Sequence, residues 1–108
     1  MNMAKIINIS DKLSFDKPTI QVGEKTYPVN DSLETVMKFE EVLGDGDIQS
    51  MTECLKVALG EEAFEEIGIV KMSFRNIKVW FLAINAAMQD MTYDEVESRF
   101  HHFSKETE

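Results

Sequence analysis

The stretch Ser73 to Gln89, SFRNIKVWFLAINAAMQ, is the feature that the rest of the chain must accommodate. As a helix it is apolar on most of its circumference, through Phe74, Ile77, Val79, Trp80, Phe81, Leu82, Ile84 and Met88. Only Lys71, Arg75, Lys78, Asn85 and Gln89 form a polar stripe, narrow and spaced at four, three, seven and four residues. A helix of that kind needs cover on nearly every side, so it is expected to be the central strut of a core. Part of the cover can instead come from another subunit or a partner. A bilayer is not the expected cover, because the most apolar part, Val79 to Met88, contains Asn85 and falls well short of the roughly 20 residues a spanning helix needs.

The elements available to wrap this helix change period near Val29. Before it the pattern is that of β-structure. AKIINI, ending at Ile9, is a short β-branched run, and TIQVGEKTYPV places Ile20 and Val22 on one side of a turn at Gly23-Glu24-Lys25, with Tyr27 and Val29 on the other. Alternation about a short glycine-containing loop is a hairpin signal. Pro28 has no N–H to donate and suits an edge, which puts the second strand at the rim of a small sheet. Because a lone hairpin is marginal in water, it must pack on helices or pair with Lys5 to Ile9.

After Val29 the apolar period becomes helical. NDSLETVMKFEEVL opens with Asn30 or Asp31 as N-cap, and Asp31 with Glu34 has the spacing of a capping box. Leu33, Val36, Met37 and Leu43 share one face, Phe39 and Val42 widen it, and Gly44 follows as the residue able to close the helix. Asp47 opens a second helix with Ile48, Met51, Leu55, Ala58 and Leu59 inward and Gly60 at its end. EEAFEEIG reads as a short third helix, with Phe64 and Ile67 inward, Glu61, Glu62, Glu65 and Glu66 outward, and Gly68 closing it. The fourth is the strut, and Thr92 with Glu95 caps a fifth whose apolar line is Tyr93, Val96, Phe100 and Phe103. The expected fold class is α+β, mostly α. It is one domain over 1–108, with a small N-terminal β-hairpin or sheet (about 1–30), a region of about five helices (31–103) and a flexible tail (104–108).

Apolar residues make up 44% of the chain and charged residues 29%, which argues for a folded domain and against disorder. The net charge of −9 is concentrated, since residues 31–70 carry two bases against eleven acids. That disfavours nucleic acid as a partner, because phosphate binding requires Lys and Arg. The acidic face suits a solvated surface, or a docking site for a basic partner. The first residues lack the apolar run and cleavage site of a secretory signal, and the single cysteine, Cys54, fits a reducing compartment, so a cytoplasmic location is expected, with no membrane role.

Motifs for chemistry are weak. Asp45 and Asp47 in GDGD invite comparison with a calcium loop, but the alignment puts Gln49 at the fifth position, Ser50 where glycine is needed and Lys56 where the bidentate glutamate belongs. A helix end followed by a helix cap accounts for these residues better. His101 and His102 point about 100° apart on a helix, and Glu97 with His101 supplies only two ligands. Cys54 sits beside Leu55 on an apolar face, as an inert core thiol would. The four carboxylates of EEAFEE form a like-charge surface, not a pair across a cleft. No catalytic residue, metal site or cofactor is expected, and the chain does not read as an enzyme.

The order TIQVGEKTYPVNDSLETVMKFEEVL, then short acidic helices, then VWFLAINAAMQDMTYDEVESRF, resembles the tail assembly chaperones of long-tailed (siphovirus-type) phages and prophages. The matching residues are Ile20, Val22, Gly23, Tyr27 and Val29 in the hairpin, Trp80 in the apolar helix, and Met91, Thr92, Asp94, Glu95 and Val96 at the last helix start. They span about Thr19 to Phe103. The resemblance implies a non-catalytic protein of the host-cell cytoplasm that binds and solubilises the helical tape-measure protein and recruits tail-tube subunits. It also implies self-association and, in many members, a longer frameshifted product. On this reading Trp80, Phe81, Met88, Met91, Phe100 and Phe103 are the apolar partner surface, although each also suits a core position, and Glu61, Glu62, Glu65 and Glu66 the acidic one. The alternatives are another small phage structural or completion protein, an acidic regulatory or antitoxin-like adaptor, and, more distantly, a composite metal site around Asp45, Asp47 and the histidines.

Overall fold

The structure, a computed structural model, describes residues 5–45 and 47–106, with the side chains of 44, 45 and 100–106 left aside. Two strands, β1 (Thr19–Val22) and β2 (Lys25–Pro28), precede five helices: α1 (Leu33–Asp45), α2 (Ile48–Leu59), α3 (Glu61–Ile67), α4 (Phe74–Met88) and α5 (Tyr93–Glu106). A single 3₁₀ turn, Ile69–Lys71, links α3 to α4. The fold is therefore α+β and mostly α, as expected.

The hairpin pairs Thr19 with Pro28, Ile20 with Tyr27, Gln21 with Thr26 and Val22 with Lys25. Its loop is thus two residues, Gly23-Glu24, and Lys25 already belongs to β2. Gly23 has φ +61° at the first loop position while Glu24 does not, the pattern of a type II′ turn that suits glycine there. Among the described residues the sheet has two strands, and residues 5–9 do not join it. The hairpin rests on helices instead. Tyr27 meets Trp80 edge-on at 5.9 Å, and the Asn30 N–H donates to the Ala58 carbonyl at 2.8 Å, satisfying an orphan acceptor at the end of α2.

That tie delays the start of α1. Asn30 Oδ1 accepts from the Ser32 N–H, and Ser32, not Asp31, caps the helix, with its Oγ 3.4 Å from the Thr35 N–H. The inward face is Thr35, Phe39, Val42 and Leu43; Leu33 and Met37, expected inside, are 73% and 61% exposed. The largest side chain sets the rotation, because Phe39 stacks on Phe81 with ring centroids 5.0 Å apart and planes 15° from parallel. Gly44 lies within α1 rather than after it, and Gly46 lies outside the described residues.

Asp47 caps α2 as expected, accepting from the Ser50 N–H at 2.8 Å. Met51, Cys54, Leu55, Ala58 and Leu59 face the core, whereas Ile48, expected inward, is 51% exposed. Gly60, at φ +88°, permits the sharp joint between α2 and α3 that a side chain would strain. Phe64 of α3 is buried, and Gly68 closes that helix. Thr92 and Glu95 form the reciprocal capping box at the start of α5, with distances of 2.9 and 3.1 Å. α5 continues to Glu106, so 104–106 of the expected tail are helical, and 107–108 lie outside the described residues.

α4 is the strut. It packs against β1, α1, α2 and α5, and buries Ile77, Trp80, Phe81, Leu82, Ile84, Asn85 and Ala86. Phe81→Ala is expected to cost about 3–5 kcal/mol in urea unfolding, since both rings of the stack are fully enclosed and removing one leaves a cavity. Phe39→Ala should cost a similar amount, and the double variant less than the sum.

Candidate functional site

Where the hairpin crosses α4 it leaves an open groove of about 300 Å³. Ile20 and Val22 of β1 form one wall, Val79, Trp80 and Ala83 of α4 the other, and Met72 lies at one end. Gln21 and Asn76 supply its polar groups. The opening has a simple origin. Tyr27 and Ile20 pair across the strands and press toward α4, but one turn along the hairpin Val22 is opposite only Lys25, and Val22 and Val79 are left 51% and 45% exposed.

Two other concavities are more polar. Between α1 and α2, about 460 Å³ is bordered by Val42, Cys54 and Val57 with Lys38, Glu41, Glu53 and Lys56 around them. The third, of about 410 Å³ beside Pro28, Leu59 and Gly60, carries Glu61, Glu62 and Glu66. Of the four exposed carboxylates on α3, Glu66 lies 3.6 Å from Lys25 and Glu61 3.8 Å from Lys56. All four of these side chains are more than half exposed, so the pairs contribute little, but they soften the acidic face.

The expected partner surface is distributed differently. Trp80 lines the groove, although it is only 9% exposed. Phe81 is fully enclosed against Phe39 and offers no surface. Met88 and Met91 are partly buried against the core. The side chains of Phe100 and Phe103 lie outside the described residues, as do those of His101, His102 and Asp45. The four glutamates of α3 are exposed, as read from the sequence. Val79 and Ala83 carry a signal readable in the sequence: they are four apart on the side of α4 that lines the groove.

Asn85 departs from its expected place in the outward polar stripe. It is fully buried, because α1 and α5 both pack on α4. Its Oδ1 accepts from Gln89 Nε2 at 2.5 Å, while its Nδ2 has no hydrogen-bond partner among the described residues. Nearby, Arg99 of α5 ties back to Glu40 of α1 at 2.8 Å and places a second N–H 3.9 Å from Met91 Sδ. The Arg99 hydrogen bond holds the Glu40 carboxyl below its ordinary range, against the opposing effect of burial, with Gln89 and the Arg99 charge adding to the lowering.

Cys54 is buried, with its thiol 3.6 Å from the Lys38 carbonyl, and burial pushes the thiol up to about 11. A thiol is the wrong protonation state for a nucleophile at neutral pH. Among the described residues no group of three or more His, Cys, Asp or Glu could hold a metal ion, and Asp47 is engaged in capping α2. No described helix is long and apolar enough to cross a membrane.

Comparison of the chain with protein-family profiles, with curated proteins and with solved structures found no match to any of them.

Two measurements test these assignments. A thiol reagent at pH 8 should label Cys54 in the folded chain about a hundredfold more slowly than in urea, given its depleted thiolate. A carboxyl whose pKa is lowered by folding stabilises the fold above its unfolded value and loses that contribution as pH falls through the folded one. Stability should therefore drop on acidification below about pH 4.5, the ordinary value for Glu40, and Glu40→Gln should make that drop shallower. The difference should stay within about 1 kcal/mol, because both partners are more than a third exposed.

Proposed function

We propose that this chain is a non-catalytic protein-binding module. On its sequence resemblance, we propose further that it acts as a tail assembly chaperone of a long-tailed phage or prophage, in the host-cell cytoplasm. In that role it keeps a tape-measure protein soluble until tail-tube subunits take it over. The observation that carries the reading is the open groove between β1 and α4, walled by Ile20, Val22, Val79, Trp80 and Ala83. Val22 and Val79, at 51% and 45% exposure beside a rigid strut, suit the anchoring of a few hydrophobic side chains from an amphipathic segment. Each anchor buried there is worth about 1.5–3 kcal/mol. The acidity of residues 31–70 keeps such a complex in solution and sets it against other acidic chains.

The acidic-adaptor reading draws on Glu61, Glu62, Glu65 and Glu66. Two of these already face lysines of the same chain, so the groove supports the first reading better.

Co-expression with a long helical tape-measure protein is expected to raise that protein's soluble fraction several-fold. Val79→Asp, on an exposed position, should fold normally and abolish the gain. Trp80 is the chain's single tryptophan and lines the groove, so its emission should shift on binding. A folded, soluble chain that leaves the tape-measure protein insoluble would sink the chaperone reading. Full rescue by Val79→Asp would move the site away from the groove.

A further inference from the structure

Residues 5–17, ahead of the hairpin, are all exposed. They carry five large apolar side chains: Ile6, Ile7, Ile9, Leu13 and Phe15 are 90%, 70%, 51%, 50% and 86% exposed. Among the described residues, no backbone–backbone hydrogen bond ties this segment to the helices or the hairpin, and only the Lys17 carbonyl, at its end, accepts from the Thr19 hydroxyl of β1 at 3.3 Å. Its own bonds are local: Ser10 donates to Asn8 Oδ1, and the Lys12 N–H donates to the Ile9 carbonyl at 2.9 Å, a turn that ends the isoleucine run. The radius of gyration is 16.9 Å, against about 13 Å for a compact chain of this length. A run of exposed isoleucines with β-propensity and no partner calls for cover.

The hairpin has one edge able to give it. In a two-residue hairpin the pair closing the loop exchanges both hydrogen bonds, and the pattern repeats at alternate pairs. Val22 with Lys25 and Ile20 with Tyr27 are those pairs, and the Val29 N–H to Pro18 carbonyl bond, 2.8 Å, continues the series. The N–H and C=O groups of Thr19 and Gln21 therefore point away from β2. The outer edge of β2 is blocked at Pro28, which has no N–H, but β1 carries no such block. This open edge borders the apolar groove, with Gln21 in the wall of both.

We propose that residues 5–9 of a second copy add to the β1 edge as a third strand, and that two copies exchange these segments reciprocally in a two-fold dimer. Side chains two apart share a face, so Ile7 and Ile9 enter the groove beside Ile20 and Val22 and against Val79. The main chain of Thr19 and Gln21 gains its missing partners. The chain's own segment turns away at Ile9–Lys12, whereas a second copy supplies the same strand without undoing that turn, and the exchange covers both exposed surfaces at once. The dimer occupies the groove assigned above to a protein partner, and in that respect rests on the groove being a protein-binding site. A partner segment must then displace the exchanged strand.

Sedimentation velocity of the full chain alone, from low to high micromolar, tests this without any partner protein, so its failure and that of the chaperone reading are distinguishable. Wild type should run as a monomer–dimer equilibrium. Ile7→Asp with Ile9→Asp removes the anchors from residues that are already exposed, and Gln21→Pro removes one outward N–H without touching the pairing with β2. Each is expected to weaken dimerisation about a hundredfold or more while circular dichroism stays unchanged. Mixing the two variants should restore partial association, since one keeps an intact edge and the other an intact strand. A wild type that stays monomeric throughout, including one whose amides 5–9 are protected from exchange by folding back on their own hairpin, overturns the proposal. So does either variant dimerising as wild type does.

Discussion

The stacking of Phe81 on Phe39 is the contact on which the rest of the structure depends. Phe81 lies near the middle of a helix that is apolar almost all round, and Phe39 is the side chain that fixes how α1 meets it. With that rotation set, Val42 and Leu43 turn inward, Leu33 and Met37 turn out, and Glu40 is left where Arg99 of α5 can reach it. α2 then completes the helical wall through Leu55, and Ile69 in the 3₁₀ turn fills the approach to α4; both are fully enclosed.

The hairpin is a smaller structure with two consequences for function. It cannot stand alone, and it is held by contacts concentrated at one end: Tyr27 on Trp80, Val29 in the core, and Asn30 tied to the end of α2. The other end, at Val22 and the Gly23 turn, meets the helices through the exposed Lys25–Glu66 pair and faces α4 across the groove. A groove and an open strand edge follow from that asymmetry, and they lie side by side. Apolar pockets give specificity through side chains while a strand edge gives affinity through the main chain, so the two together suit an extended or amphipathic protein segment.

The capping chemistry was legible at Asp47 and at Thr92 with Glu95, because a cap is decided by residues three apart. It misled at Asp31, where Ser32 caps instead, since the entry of α1 is governed by a bond from Asn30 to Ala58, far along the chain. Likewise, Asp90 adopts φ +54° at the end of α4, a place where glycine would ordinarily be sought, with the Met91 N–H returning to the Ala86 carbonyl at 2.9 Å. The candidate site was half legible. Trp80 is legible as a partner residue, but on a helix face running through Phe81, Met88 and Met91, whereas in the structure it meets Tyr27 edge-on and shares a groove with Ile20 and Val22 of the hairpin.

The sequence by itself determined the hairpin, the five helices and their order, because periods of two and of 3.6 residues, glycine turns and capping pairs are local signals. It also determined that α4 had to be surrounded, from its own circumference. Only the tertiary structure decided which side of each amphipathic helix faces in, that Asn85 is enclosed while Val79 is not, and that residues 5–9 stand apart from the hairpin they were expected to join or leave to the helices. Those outcomes turn on which of several apolar surfaces finds the better-packed partner, a competition between distant segments that no window of neighbouring residues contains.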